Sequence, residues 1–294
     1  VVAKQRIDTL LAERGVFASR SRAAASVMAG EVRVGSAGRR AEKAGEMVPA
    51  DALITVDERP RYVSRGGIKL ENALRRTGIA VAGRSALDVG ASTGGFTDCL
   101  LQHGAAVVLA VDVGYGELHY SLRTDPRVRV LERTNARSLT PARVAGAMAG
   151  GPPGHSGAQR ASDLAVVDVS FISLAKVLPA VLTCLAEPYD VLALVKPQFE
   201  APRELIGKGG VVRDPVVRRT ALVSVGLAVM EIESAHAQNG LSSSGSPAVI
   251  GFCSSGLPGP KGNRETFVWL AEHGRAGGAR GAEEIERMAL REEP

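Results

Sequence analysis

Between Arg6 and Val56 the apolar positions first keep a helical spacing and then alternate. Ile7, Leu10 and Leu11 predict a helix that Gly15 ends, and Ser19 is placed to cap a second one. The buried side of that second helix is expected at Ala23, Ala24 and Val27, with Gly30 closing it. Glu31–Gly35 alternates as a short strand and turn, and Leu53–Val56 supplies another short strand. Arg59-Pro60-Arg61-Tyr62-Val63 breaks regular structure and reads as a linker. A helix then opens over Ser64–Leu70 and runs through Leu74. From Ser85 onward, short apolar runs alternate with helical patterns. Strands are predicted over Ala86–Val89, Val107–Asp112, Val128–Leu131, Leu164–Asp168, Val191–Val195, Ala248–Cys253 and Thr266–Leu270. That alternation predicts a doubly wound, mainly parallel α/β sheet. Asp214-Pro215 is a helix start, with Ala221, Leu222, Val225 and Val229 following at helical spacing. Ala147–Ala161 and Asn239–Pro247 read as mobile loops. The expected division is a small α+β unit over 1–58, a linker over 59–63, the α/β domain over 64–272 and a peripheral tail over 273–294. The tail is helix-prone from Ala282 to Leu290.

Composition sharpens this picture in three places. Hydrophobic residues make up 45% of the chain but aromatics only 4%, so Ala, Val and Leu must fill the core. The formal charge of +5 is mild, yet basic residues concentrate in the amino-terminal unit: Arg6, Arg14, Arg20, Arg22, Arg33, Arg39, Arg40 and Lys43. Such a face suits phosphates of folded RNA read by shape, although most charged faces are simply solvated. Cys99, Cys184 and Cys253 are far apart and odd in number. They predict a reducing cytoplasm and small core residues, with no disulfide framework and no metal site. No apolar run approaches the roughly 20 residues of a membrane helix, and the first residues carry no export pattern.

The stretch Ser85–Phe96 carries the candidate ligand chemistry. An apolar strand ends in a glycine-rich turn and a helix start, the place where α/β sheets bind nucleotide-like ligands. The spacing is not Gly-x-Gly-x-x-Gly, and no Gly-Lys-Ser/Thr follows. Asp88 lies two residues before Gly90, and Asp112 ends the second strand, where an acid can accept ribose hydroxyls. Acid, glycine turn and second acid suit S-adenosylmethionine. Three more strand ends carry polar residues: Asp168-Val169-Ser170-Phe171, Lys196-Pro197-Gln198-Phe199-Glu200, and Glu265 after Pro258–Asn263. Lys69 lies just inside the helix that opens at Ser64, where a cation is mildly disfavoured. Desolvation or a neighbouring cation lets a lysine act as a base. Each side chain alone has an ordinary role as cap, surface cation or ion-pair member. The joint pattern of Lys69, Asp168, Lys196 and Glu265 points to chemistry if the fold gathers them.

Two resemblances rest on these residues. Arg6-Ile7-Asp8, Leu11, Gly15, Ser19-Arg20, Ala23, Val27, Gly30, Val32 and Val34 together resemble the S4 RNA-binding domain, departing from it in the Gly-, Ala- and charge-rich Ser36–Glu46. Asp88–Thr97, Asp112–Gly116, Arg133–Arg137, Asp168–Leu174, Lys196–Glu200 and Gly209–Pro215 resemble, in order, blocks of the TlyA family, also called the haemolysin A family. Its members join an S4 domain to an FtsJ-like ribose methyltransferase. The resemblance implies S-adenosylmethionine-dependent 2′-O-methylation of cytidines in 16S and 23S ribosomal RNA, without a metal. It implies a Lys-Asp-Lys-Glu tetrad at Lys69, Asp168, Lys196 and Glu265. The cofactor would be held by Asp88, Gly90, Ala91, Ser92, Thr93, Gly94, Gly95, Phe96 and Asp112, with Asn135 by the adenine. Arg6, Arg14, Arg20, Arg22, Arg33 and Arg65 are the candidates for RNA contact. Departures from the family pattern are the glycine-rich insert before Asp163, Ala201–Leu205, and the serine-rich loop before Ala248. Rival readings are an RNA-binding ribosome assembly factor with an idle core, a membrane-active haemolysin, and an NAD-linked dehydrogenase.

Overall fold

The computed structural model describes residues 3–28, 30–57, 60–149, 162–238 and 247–293. The expected serine-rich loop lies outside these residues except at Pro247. So does the glycine-rich loop beyond Ala149. The chain forms two compact units, Val1–Arg61 and Tyr62–Pro294.

In the first unit, β1 (Lys4–Arg6) leads into α1 (Ile7–Glu13), and α2 (Arg20–Met28) follows. Ser19 caps α2, its Oγ accepting the Arg22 N–H at 3.2 Å. Ala23 and Val27 are buried as the spacing predicts, but Ala24 is not fully so. Ser26 takes its place in the core, where its hydroxyl donates to Glu31. β2 (Val32–Val34) pairs with β3 (Arg39–Arg40) and β5 (Ile54–Val56), while β4 (Met47–Pro49) returns to β1. The Ser36–Glu46 stretch therefore holds one strand of only two residues. The core is Ile7, Leu10, Leu11, Ala23, Val27, Val32, Ala41 and Val48.

The second unit begins inside the expected linker. Tyr62 is buried against the first turn of α3 (Arg65–Thr77), and Val63 N–H donates to Asp98 Oδ2 at 2.8 Å. The sheet then builds from β6 (Ser85–Val89), α4 (Gly95–Gln102), β7 (Val107–Val111), the single turn α5 (Tyr120–Arg123), β8 (Val128–Leu131), α6 (Pro141–Ala149) and β9 (Ser162–Val167). α7 (Leu178–Leu182), β10 (Leu185–Val195), α8 (Pro197–Glu200), α9 (Pro215–Gln238), β11 (Pro247–Ser254), β12 (Thr266–Glu272) and α10 (Ala282–Glu292) complete it. Strand order is β11-β12-β10-β9-β6-β7-β8. β10, β9, β6, β7 and β8 are mutually parallel, and β12 runs against both its neighbours. Continuous apolar strands are what a sheet covered on both faces requires. One core packs α7, α9 and α10 against one face, and a second packs α3 and α4 against the other.

The carboxy-terminal segment is not peripheral. Ile285 and Ala289, one helical turn apart, are fully buried in the core shared with α9. Ile285 Cγ2 lies only 2.6 Å from where a Cβ on Gly226 would stand, so the missing side chain of α9 admits it.

Candidate active site

From the central β6 the chain moves outward to β7 and β8, then returns to β9 on the other side of β6. The strand ends at such a reversal form a crevice, the usual ligand site of this fold class. Gly90 and Asp168 stand on its two sides. Asp168 N–H donates to Val89 O at 2.9 Å, and a Cβ on Gly90 would come within 2.5 Å of Asp168 O. With φ of +86°, Gly90 is the residue type this approach demands.

Two clefts open from this point. The first, about 490 Å³, is lined among others by Gly90, Ser92, Asp112, Glu117, Asn135 and Asp168. That size falls in the range of about 300–1,000 Å³ usual for small-molecule sites. Asp112 Oδ2 accepts the Ser92 N–H and Oδ1 the Gly114 N–H, both at 2.7 Å. These bonds fix the carboxylate and leave each oxygen a lone pair for a ligand hydroxyl. Asn135 Oδ1 accepts the Arg137 N–H at 3.0 Å, and among the described residues its amide nitrogen has no partner. A carboxylate for ribose, an amide for a base and a glycine turn for close approach fit an adenosine-bearing ligand. The second cleft, about 470 Å³, shares Gly90, Ser92 and Asp168 with the first and adds Ala91, Thr93, Gly95, Phe96, Arg65 and Lys69.

Of the expected cofactor contacts, Gly90, Ser92, Asp112 and Asn135 line the first cleft, Ala91, Thr93, Gly95 and Phe96 line only the second, and Asp88 and Gly94 line neither. Asp88 is fully buried behind the turn, where Thr97 Oγ1 donates to its Oδ2 at 2.6 Å. Burial, with Asp168 and Asp112 adding like charge, pushes its carboxyl up to about 7 against the pull of Thr97. Gly94 lines neither cleft; a Cβ there would sit 2.3 Å from Leu122 Cδ1, so packing explains it.

Asp88 has a measurable consequence. Its folded-state value exceeds the unfolded one, so the folded chain holds this proton more tightly. The associated stability is present below about pH 4 and is lost as pH rises through about 7, on the order of 4 kcal/mol. Asp88→Asn keeps an acceptor for Thr97 and removes the titration. Its stability advantage over the parent in urea unfolding should grow between pH 5 and pH 8. A constant difference across that range would show that Asp88 is ionised in the fold throughout.

The four tetrad candidates meet as two ion pairs. Lys69 on α3 pairs with Glu265, which precedes β12, and the two side chains are 9% and 1% exposed. Lys196, at the end of β10, places Nζ 2.5 Å from Asp168 Oδ1 and donates to Ser170 Oγ at 2.9 Å. Lys69 and Asp168 line the second cleft together. Sheet order explains the gathering: β12, β10, β9 and β6 are consecutive neighbours, so their ends lie side by side.

The comparisons agree with this architecture. The FtsJ-like methyltransferase family model matches residues 62–234. Over 294 residues, 99% of each chain, the sequence is 45% identical to the 16S/23S rRNA (cytidine-2′-O)-methyltransferase TlyA of Mycobacterium tuberculosis. The chain belongs to the FtsJ-like methyltransferases, in the TlyA family. Hemolysin A of Brachyspira hyodysenteriae is 39% identical over 217 residues, 74% of this chain and 84% of that one. A solved structure from Streptococcus thermophilus, named as a hemolysin, superposes with a TM-score of 0.65 at 36% identity, covering 99% of this chain and 96% of that one.

Within this FtsJ-like core several residues in or beside the clefts escaped the sequence argument. Glu117 accepts from Ser92 Oγ at 3.2 Å. Ser170 meets Lys196, and Glu200 accepts from Ser173 Oγ and Leu174 N–H at 2.6 and 2.8 Å. Only the motif placement of Ser170 and Glu200 near strand ends could have signalled them. In the amino-terminal unit, Arg6 and Arg20 both bind the buried Asp8, whose carboxyl is held well below its ordinary range chiefly by Arg6. Arg14 donates to the Ala50 and Ala52 carbonyls, and Arg33 pairs with Asp57. Among the described residues, the Arg22 side chain alone of these five has no protein partner. Arg65 lines the second cleft and donates to Pro258 O at 2.7 Å. Among the described residues there is no cluster of three His, Cys, Asp or Glu able to hold a metal, and no helix long and apolar enough to cross a membrane.

Proposed function

We propose that this chain transfers a methyl group from S-adenosylmethionine to the ribose 2′-hydroxyl of cytidines in 16S and 23S ribosomal RNA, acting in the cytoplasm. The observation that carries the reaction type is the place of Asp168. It lies on the wall common to both clefts and pairs with Lys196, while Lys69, paired with the buried Glu265, lines the second cleft. The cytidine and the two ribosomal RNAs come from the full-length 45% relative.

In this reading the first cleft holds the cofactor. Asp112 takes the adenosine ribose hydroxyls, Asn135 lies by the adenine, and backbone at Gly90 and Ser92 approaches the methionine end. S-adenosylmethionine, when bound, supplies a methyl on a cationic sulfur that departs without help from a metal. The second cleft admits the acceptor nucleotide. Lys196 takes the proton of the 2′-hydroxyl as that oxygen attacks, and Asp168 orients Lys196 and balances the charge formed. Lys69 and Glu265 hold the far wall. Alignment of the two reactants in adjoining clefts supplies much of the acceleration. Arg65 meets phosphate at the rim, and the amino-terminal arginines, Arg22 foremost, contact folded RNA.

Purified chain is incubated with isolated small and large ribosomal subunits and a methyl-labelled donor. Label should enter RNA, and the modified position should resist alkaline cleavage because its 2′-oxygen is blocked. No label on either subunit would favour an assembly factor with an idle core. Label on a base would overturn the ribose assignment.

A further inference from the structure

Lys196 Nζ has two protein partners, Asp168 Oδ1 at 2.5 Å and Ser170 Oγ at 2.9 Å. A lysine that acts as a base must start neutral, with two N–H bonds and one lone pair. The hydrogen bond to Ser170 Oγ and the charge of Asp168 together restrain that nitrogen. We propose that Ser170 is a positioning residue for methyl transfer: its hydroxyl accepts an N–H bond of Lys196 and, together with the Lys196–Asp168 ion pair, sets where Nζ stands for the acceptor hydroxyl. This rests on the methyl-transfer reading above.

The loop is built to hold that hydroxyl in place. Ser170 lines the first cleft directly after Asp168 and Val169, which line it too. The next residue, Phe171, has φ of +65°, a conformation costly for a large side chain. Its ring packs on Phe199 of α8 with centroids 5.2 Å apart. Glu200, also on α8, fixes the far end of the same loop through Ser173 Oγ and Leu174 N–H. Burial raises the Glu200 carboxyl above its ordinary value, with those two bonds opposing. Lys196 caps α8. One short element therefore sets both the lysine and the loop that carries its hydroxyl acceptor.

The step itself is balanced. The 2′-O–H bond breaks and its proton goes to Lys196 Nζ; the new O–C bond forms as the C–S bond breaks, its pair passing to sulfur. Ser170 gains and loses nothing. A hydroxyl acceptor favours the ammonium more than the amine, so its removal lowers the lysine's affinity for a proton. The charged groups on the surrounding elements are Asp168, Asp88 on β6, Glu200 on α8 and the Lys69–Glu265 pair. None is altered by a substitution at Ser170.

Single-turnover rates are measured against pH with ribosomal subunits, and cofactor affinity by calorimetry, for the parent, Ser170→Ala, Ser170→Thr and Ser170→Val. Ser170→Ala should lower the plateau, measured at saturating cofactor, about 10–100-fold and move the acid limb to lower pH. Ser170→Thr should recover most of the plateau and Ser170→Val should not. A merely structural role would lower the plateau without moving the limb. The proposal fails if Ser170→Ala matches the parent in both, or if the isosteric Thr and Val variants behave alike. A parent that transfers no methyl group at all would instead overturn the functional reading beneath it.

Discussion

Lys196→Ala should lose methyl transfer by about 10²–10⁴-fold while binding S-adenosylmethionine about as well as the parent. The two effects separate because Lys196 does not line the cofactor cleft. Its side chain instead pairs with Asp168 and is 11% exposed. Lys196→Arg makes the test sharper. Arginine keeps the positive charge and can still pair with Asp168, but it does not become neutral in proteins. If Lys196 works as a proton acceptor, Arg should be nearly as inactive as Ala. If it works as a cation that stabilises a developing alkoxide, Arg should retain substantial activity. Rapid-quench single turnovers on ribosomal subunits decide between these outcomes, and near-normal turnover in the Ala variant would remove Lys196 from the mechanism.

The parts of this site that could be read from sequence were those tied to strand ends. Val107–Val111, Leu164–Val167 and Val191–Val195 are apolar throughout, so the polar residue after each marks where the chain leaves the sheet. Asp112, Asp168 and Lys196 were legible for that reason, although β10 starts six residues earlier than its apolar run suggests. What sequence did not show is which way a side chain faces. Asp88 stands next to Val89 and two residues before the turn, yet strand alternation turns it inward to Thr97 and away from the cleft. Arg6, Arg14, Arg20 and Arg33 read as a basic face, but each is anchored by a group chosen by the fold. Ser170 and Glu200 were hidden for the same reason, since their partners become neighbours only when β9 and β10 pair. The tail helix was legible as a helix from its spacing. Its docking was not, because the space that receives Ile285 is an absent side chain at Gly226.

Glu265→Ala should cost about 3–5 kcal/mol of stability and should also abolish methyl transfer. The carboxylate is 1% exposed, and its partner Lys69 is nearly as buried, so truncating it strands an ammonium away from water. The turn before β12 is shaped around this acid: Gly259 N–H donates to Asn263 O at 2.8 Å, and a Cβ on Gly259 would stand 2.2 Å from Glu265 Oε1. Loss of activity in that variant could then follow from unfolding alone. The double replacement Lys69→Met with Glu265→Leu separates the causes, since apolar side chains of similar volume often match or exceed a buried ion pair in stability. The double variant should regain most of the lost stability in urea unfolding and still transfer no methyl group. Recovery of methyl transfer along with stability would reduce the pair to a strut between α3 and the sheet, leaving Asp168 and Lys196 to carry the chemistry by themselves.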